Sequence, residues 1–242
     1  MRLLSNSFTL PKLFLVITAP AILSSFPAPA QTSITQKSET IQTQQHTMRY
    51  EEYGHPTSPA TIIFLHGASG PAVPPYRSEA EFFADHGYYV LLPHYFDVTS
   101  SPTPSDANYQ AWVNAVADLI ASQRSLPGNG PRKIALIGLS LGSSVALAAG
   151  SQDLPINAIA DWYGSLPDSF FYKFIAMPPL LILHGERDQN IPVSSARQLE
   201  KLCQLKQLTC ESHLYSDQGH GFSGAALQDA QQRTLTFFAK YL

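Results

Sequence analysis

The chain has 242 residues, with 15 Lys and Arg against 18 Asp and Glu and a formal net charge of -3. With no basic surplus and no Lys/Arg run it offers no electrostatic footprint for nucleic acid. At 44% hydrophobic and 14% charged residues it is not disordered by composition, it can bury a sizeable core, and its length makes one domain the default.

The first thirty residues read as a targeting segment. Arg2 and Lys12 are cationic, and Leu13 to Phe26 is an apolar run broken by Thr18 and Pro20. Ala28-Pro29-Ala30 then presents small residues where a signal peptidase reads. The run is shorter than the ~20 residues a membrane span needs. Residues 1–30 are therefore expected to be a cleaved signal peptide, the protein to be exported (periplasmic or secreted), and no stable membrane span to remain. Gln, Thr and Ser dominate the stretch that follows, so residues 31–46 are expected to be a flexible leader. Order is expected from near Met48, with the folded domain over 47–242.

Short apolar runs then alternate with helical patterns, the signature of a mostly parallel sheet built from βαβ units. Ala60–Leu65 is a buried strand ending in His66-Gly67. Residues 77–86 have helical spacing, with Ala80, Phe83 and Ala84 on one face and Gly87 as the stop. A strand at 88–92 is closed by Pro93, and a Ser/Thr/Pro loop spans 97–106. An amphipathic helix over 107–122 carries Trp112, Val116, Leu119 and Ile120. Residues 128–131 read as a turn, 133–137 (KIALI) as a continuous apolar strand, and 143–149 as a small-residue helix. Strands at 156–162, 180–183 and 212–215, a helix at 194–205 and a last helix at 225–241 complete the pattern.

Gly138-Leu139-Ser140-Leu141-Gly142 is a G-x-S-x-G pattern between a buried strand and a helix, the context that gives the motif its meaning. The chain must turn so sharply there that the serine sits in strained backbone, and bulky residues two positions either side would clash. Ser140 is thus the candidate nucleophile. It needs a base and a group to orient that base, in the chain order Ser, acid, His. Asp188, in the loop after 180–183, is the candidate acid, with Asp161 in reserve and Glu186 and Asp217 as weaker alternatives. His220, between Gly219 and Gly221 beyond the last strand, is the candidate base. His66, His94 and His184 end strands and suit structural or pocket-lining roles; His213 lies within a strand. The oxyanion donors are expected to be the backbone N–H groups of Leu141 and Ala68.

Cys203 and Cys210 form a close pair. In an exported protein they can join the end of a helix to the next strand as a disulfide, or remain as two thiols. Neither has a C-x-x-C partner or a His cluster, so neither points to redox or metal chemistry. No cofactor is expected, and the oligomeric state is not legible.

The strand-HG loop, "GYYVLLPHYFD" at 87–97, the GLSLG elbow, "DWYGSLP" at 161–167, "LLILHGERD" and "GHGF" resemble the dienelactone hydrolase family, in that family's order and over nearly the whole mature chain. The resemblance implies an α/β-hydrolase fold, a mostly parallel central sheet with helices on both faces and no large cap domain, acting on esters with the triad at the positions above. Dienelactone hydrolases proper use a cysteine nucleophile, where this chain has Ser140. Their lactone-specific arginines have no clear counterpart, Arg77 and Arg187 being poorly placed. The expectation is a serine hydrolase cleaving carboxylic esters of small molecules through an acyl-enzyme. A peptidase or acyltransferase with the same triad, and a non-catalytic binding protein on this scaffold, remain as alternatives.

Overall fold

The computed structural model describes residues 37–44, 46–126 and 131–242. The expected signal peptide, residues 31–36 and 45 of the expected leader, and residues 128–130 of the expected 128–131 turn lie outside them. Eight strands build one sheet in the order β1-β2-β4-β3-β5-β6-β7-β8. They are β1 (Lys37–Gln42), β2 (Thr47–Tyr53), β3 (Ala60–Leu65), β4 (Tyr89–Pro93), β5 (Lys133–Leu139), β6 (Ala158–Trp162), β7 (Leu180–Gly185) and β8 (Cys210–Tyr215). Strands β3 to β8 run parallel, and β2 runs antiparallel to both β1 and β4.

The central strands read as unbroken apolar runs because helices cover both faces of the sheet. In β3, Ile63 and Leu65 pack on the side of α2 (Asp106–Arg124), α3 (Leu141–Gly150) and α5 (Ser194–Lys206). Ile62 and Phe64 pack on the side of α1 (Pro74–Asp85) and α6 (Gly224–Tyr241). A short α4 (Asp168–Phe171) lies between β6 and β7, with no cap domain. Among the described residues no helix is long and apolar enough to cross a membrane.

The leader is the main correction. Lys37–Gln42 is not loose chain but the edge strand β1, paired with Thr47–Tyr53 through a full antiparallel register. Its residues are exposed or half-buried, so backbone hydrogen bonding holds it and composition gives no apolar signal. The turn is tied by Thr43, whose N–H donates to the His46 carbonyl at 2.8 Å and whose hydroxyl donates to the same oxygen at 2.7 Å. The sheet thus begins some ten residues before the expected start of order.

Helix boundaries moved for local reasons. α1 starts at Pro74, three residues early, because Pro74 and Pro75 suit a first turn whose N–H groups need no intrahelical acceptor. α2 starts at Asp106 because the Ser105 side chain caps the Asn108 N–H. Cys203 of α5 and Cys210 of β8 form a disulfide across a separation of 7 residues.

Candidate active site

The site stands at the carboxyl end of the parallel strands, where β5 meets α3. Ser140 occupies the turn at φ 56° and ψ -120°, a conformation rare for a residue with a side chain. Its N–H donates to the Trp162 carbonyl at 3.0 Å, which fixes the turn to the neighbouring strand. The flanking glycines are required by space. A Cβ at Gly138 would overlap the Ser143 backbone, and one at Gly142 would overlap the carbonyls of Leu65 and His66.

Two loops bring the remaining partners to Ser140. Beyond β7, Asp188 is buried, and its Oδ1 accepts from the N–H groups of Asn190 at 2.8 Å and Ile191 at 2.9 Å. The Arg187 N–H donates to the Gln218 carbonyl at 2.9 Å, which ties this loop to the one carrying His220. His220 Nδ1–H then donates to Asp188 Oδ2 at 2.8 Å, and the Ser140 hydroxyl donates to His220 Nε2 at 2.7 Å. The three candidate residues therefore form one continuous hydrogen-bonded chain. The Tyr163 ring stands 5.2 Å from His220 and 4.9 Å from Phe222, making an aromatic wall beside the imidazole.

The remaining candidates are drawn elsewhere. Asp161 is fully buried and turned into the elbow, accepting from the Ser143 hydroxyl and, at 2.8 Å, from the Gly164 N–H. Glu186 is exposed and faces Arg197 at 3.3 Å, and Asp217 is exposed. His184 braces the acid loop. Its Nε2–H donates to the Ile191 carbonyl at 2.8 Å and lies 3.4 Å from Asp188 Oδ2. His66 is buried against Tyr95, and burial lowers its pKa to about 4, so it is neutral. His213 lies 3.9 Å from Asp229 on the outer strand. The amides of Leu141 and Ala68 have no backbone or side-chain acceptor among the described residues, which leaves both able to donate to a ligand oxygen.

One cluster was not read from the sequence. Glu51 of β2 is buried and takes a two-pronged bond from Arg77 (2.9 and 2.7 Å), one from Tyr53 at 2.6 Å and one from His94 at 3.0 Å. Burial alone would raise its pKa, but these donors bring it down to about 2. Arg77 is thereby neutralised. Only the alternation in β2 hinted that Glu51 faces inward, and its partners come from three separate segments.

The dienelactone hydrolase family model matches residues 53–242. A carboxymethylenebutenolidase of Rhodococcus opacus is 27% identical over 207 residues, covering 75% of this chain and 81% of that protein. A relative in Escherichia coli (strain K12) is 25% identical over 146 residues, and the chain spans about half of its length (54%). Among solved structures, an esterase from Pyrococcus furiosus superposes with a TM-score of 0.70 at 19% identity, covering 86% of this chain and 92% of that one. At that identity the likeness concerns the fold: this chain has the α/β-hydrolase fold.

Proposed function

The chain belongs to the dienelactone hydrolase family, and from that premise we propose that it is a serine hydrolase cleaving carboxylic esters of small molecules through an acyl-enzyme. The observation that carries the reading is the chain Ser140 Oγ, His220, Asp188, with contacts of 2.7 and 2.8 Å. Ser140 Oγ attacks the ester carbonyl carbon while His220 Nε2 takes its proton. Asp188 holds the imidazole by Nδ1 and stabilises the cation that forms. The carbonyl oxygen, now negative, accepts from the Leu141 and Ala68 amides. His220 then protonates the leaving alcohol. In the second half a water loses its proton to His220 and attacks the acyl carbon. As the tetrahedral intermediate collapses, the bond to Ser140 Oγ breaks, His220 returns the proton to that oxygen, and the acid leaves.

The state of Arg77 supports a neutral ester over a carboxylate-bearing lactone. A guanidinium already paired to buried Glu51 is a poor anchor for a substrate anion. The reading includes export with cleavage of residues 1–30, and the Cys203–Cys210 disulfide suits an oxidising compartment. Sequencing the N-terminus of protein recovered outside the cytoplasm tests this part. Retention of Met1 on a cytoplasmic protein overturns it.

The activity is tested with p-nitrophenyl esters of increasing acyl length and with a fluorophosphonate probe, on the full chain and on Ser140→Ala. Turnover and labelling by the wild type, both lost in the variant, are expected. A folded wild type that neither turns over any ester nor labels at Ser140 sinks the proposal.

A further inference from the structure

One polar side chain enters this site from α1 and takes no part in the triad. Pro74 and Pro75 set the first turn of α1 through their fixed φ. Tyr76 follows, its N–H donating to the Val73 carbonyl at 3.1 Å, so its ring leaves a well-fixed backbone. Its hydroxyl reaches back over Gly67. A Cβ built on Gly67 would overlap that hydroxyl and stand 3.4 Å from the Cβ of Ser140. The phenol oxygen and the Cβ of the candidate nucleophile therefore border the same methyl-sized space, one residue before the Ala68 amide.

The hydrogen bonds of the phenol leave its proton available. The Gly67 backbone and the Ser69 side chain both face the phenol and partly offset the effect of burial on it. The Gly67 carbonyl is already taken by the Gly70 N–H at 3.1 Å and by His66 Nδ1 at 2.8 Å, so it does not hold the phenol's proton. Ser69 is exposed, a partner that a bound substrate can replace. The half-buried phenol has its pKa raised by burial, which keeps it a protonated donor at neutral pH.

We infer that Tyr76 is a further catalytic residue, whose O–H donates to the carbonyl oxygen of the bound ester as it becomes the oxyanion, beside the Leu141 and Ala68 amides. The inference rests on the ester-hydrolase reading. It differs from a merely structural role in what it should move. A donor to the oxyanion acts in the transition state and so affects kcat more than KM.

The test uses Tyr76→Phe, Gly67→Ala and the double variant in the full chain, with p-nitrophenyl acetate turnover, fluorophosphonate labelling and thermal midpoints. Tyr76→Phe should lower kcat by about 10- to 100-fold, with KM and midpoint little changed and labelling slowed in step. In Gly67→Ala the new methyl displaces the hydroxyl, and a similar loss is expected. The double variant should be no slower than Tyr76→Phe, because removing the oxygen makes room for the methyl. Wild-type kcat in Tyr76→Phe overturns the inference alone, since wild-type turnover and labelling stand. A wild type that neither turns over nor labels overturns the ester reading and this inference together. Should Tyr76→Phe fail to fold, Gly67→Ala decides, and an unchanged kcat there overturns it.

Discussion

Asp161 and Ser143 are joined by a hydrogen bond inside the nucleophile elbow, the hydroxyl donating to Oδ1 of the carboxyl. The other oxygen of Asp161 has no hydrogen-bond partner among the described residues. Burial raises the pKa of this group against the opposing effects of Ser143, His184 and Gly164. A buried carboxylate that serves only as an acceptor is a scaffold part, and an amide can replace it.

Asp161→Asn is therefore expected to keep kcat within about tenfold, whereas Asp161→Ala, which strands the Ser143 hydroxyl and Gly164 N–H, costs about 2–4 kcal/mol. The sign of the pH effect follows from the raised pKa. The folded state binds this proton more tightly than the unfolded one, so the contribution is full below the ordinary carboxylate range and is lost as pH rises through the raised value. Urea midpoints at pH 4 and pH 8 should show the wild type losing ground to Asp161→Asn at the higher pH. A constant gap contradicts the assignment.

Asp188→Asn should behave in the opposite way. An amide nitrogen facing His220 Nδ1 reverses the tautomer and removes the acceptor of the 2.8 Å bond. Loss of kcat on the order of 10⁴ is expected, with the fold kept. If Asp188→Asn keeps its rate while Asp161→Asn loses it, the two carboxyls have exchanged roles.

These two residues also mark where the sequence stopped being informative. Strands β3, β5 and β7 were legible because burial on both faces leaves a continuous apolar run, and Ser140 because steric crowding demands glycine at 138 and 142. Asp161 lies in the last residues of β6 and Asp188 just beyond β7, and local pattern does not say which is the acid. What separates them is the tie from Arg187 to the Gln218 carbonyl, which delivers one loop to the other. β1 was missed because a polar edge strand is held by backbone groups that every residue carries. Tyr76 was missed because its reach depends on the path of the loop over Gly67.

Glu51 should act as an acid-labile brace. Its folded pKa, about 2, lies below the unfolded value, so its stabilisation is present above the ordinary glutamate range and is lost as pH falls through about 2. Arg77 is 40% exposed, which discounts the pair for solvent. Glu51→Gln is expected to cost about 1–3 kcal/mol at pH 7, the difference from wild type shrinking towards pH 2. Urea unfolding at pH 7 and pH 3 checks this, and an equal difference at both values counts against it.

The disulfide should stabilise the fold without touching the reaction. Cys210 pairs with Leu180 at the start of β7, whereas Asp188 lies beyond Gly185 at the other end of that strand. The bond and the acid loop thus stand at opposite ends of β7. Closing so short a loop is worth about 2 kcal/mol by chain entropy, a fall of roughly 4–8 °C in thermal midpoint for a domain of this size when both cysteines become serine. The kcat on a p-nitrophenyl ester should stay at the wild-type value. Alkylation of the unreduced protein should label neither thiol. A midpoint that reduction leaves unmoved removes the stabilising role, and a fall in kcat at constant stability would show that the edge carrying Cys210 is coupled to the acid loop through β7.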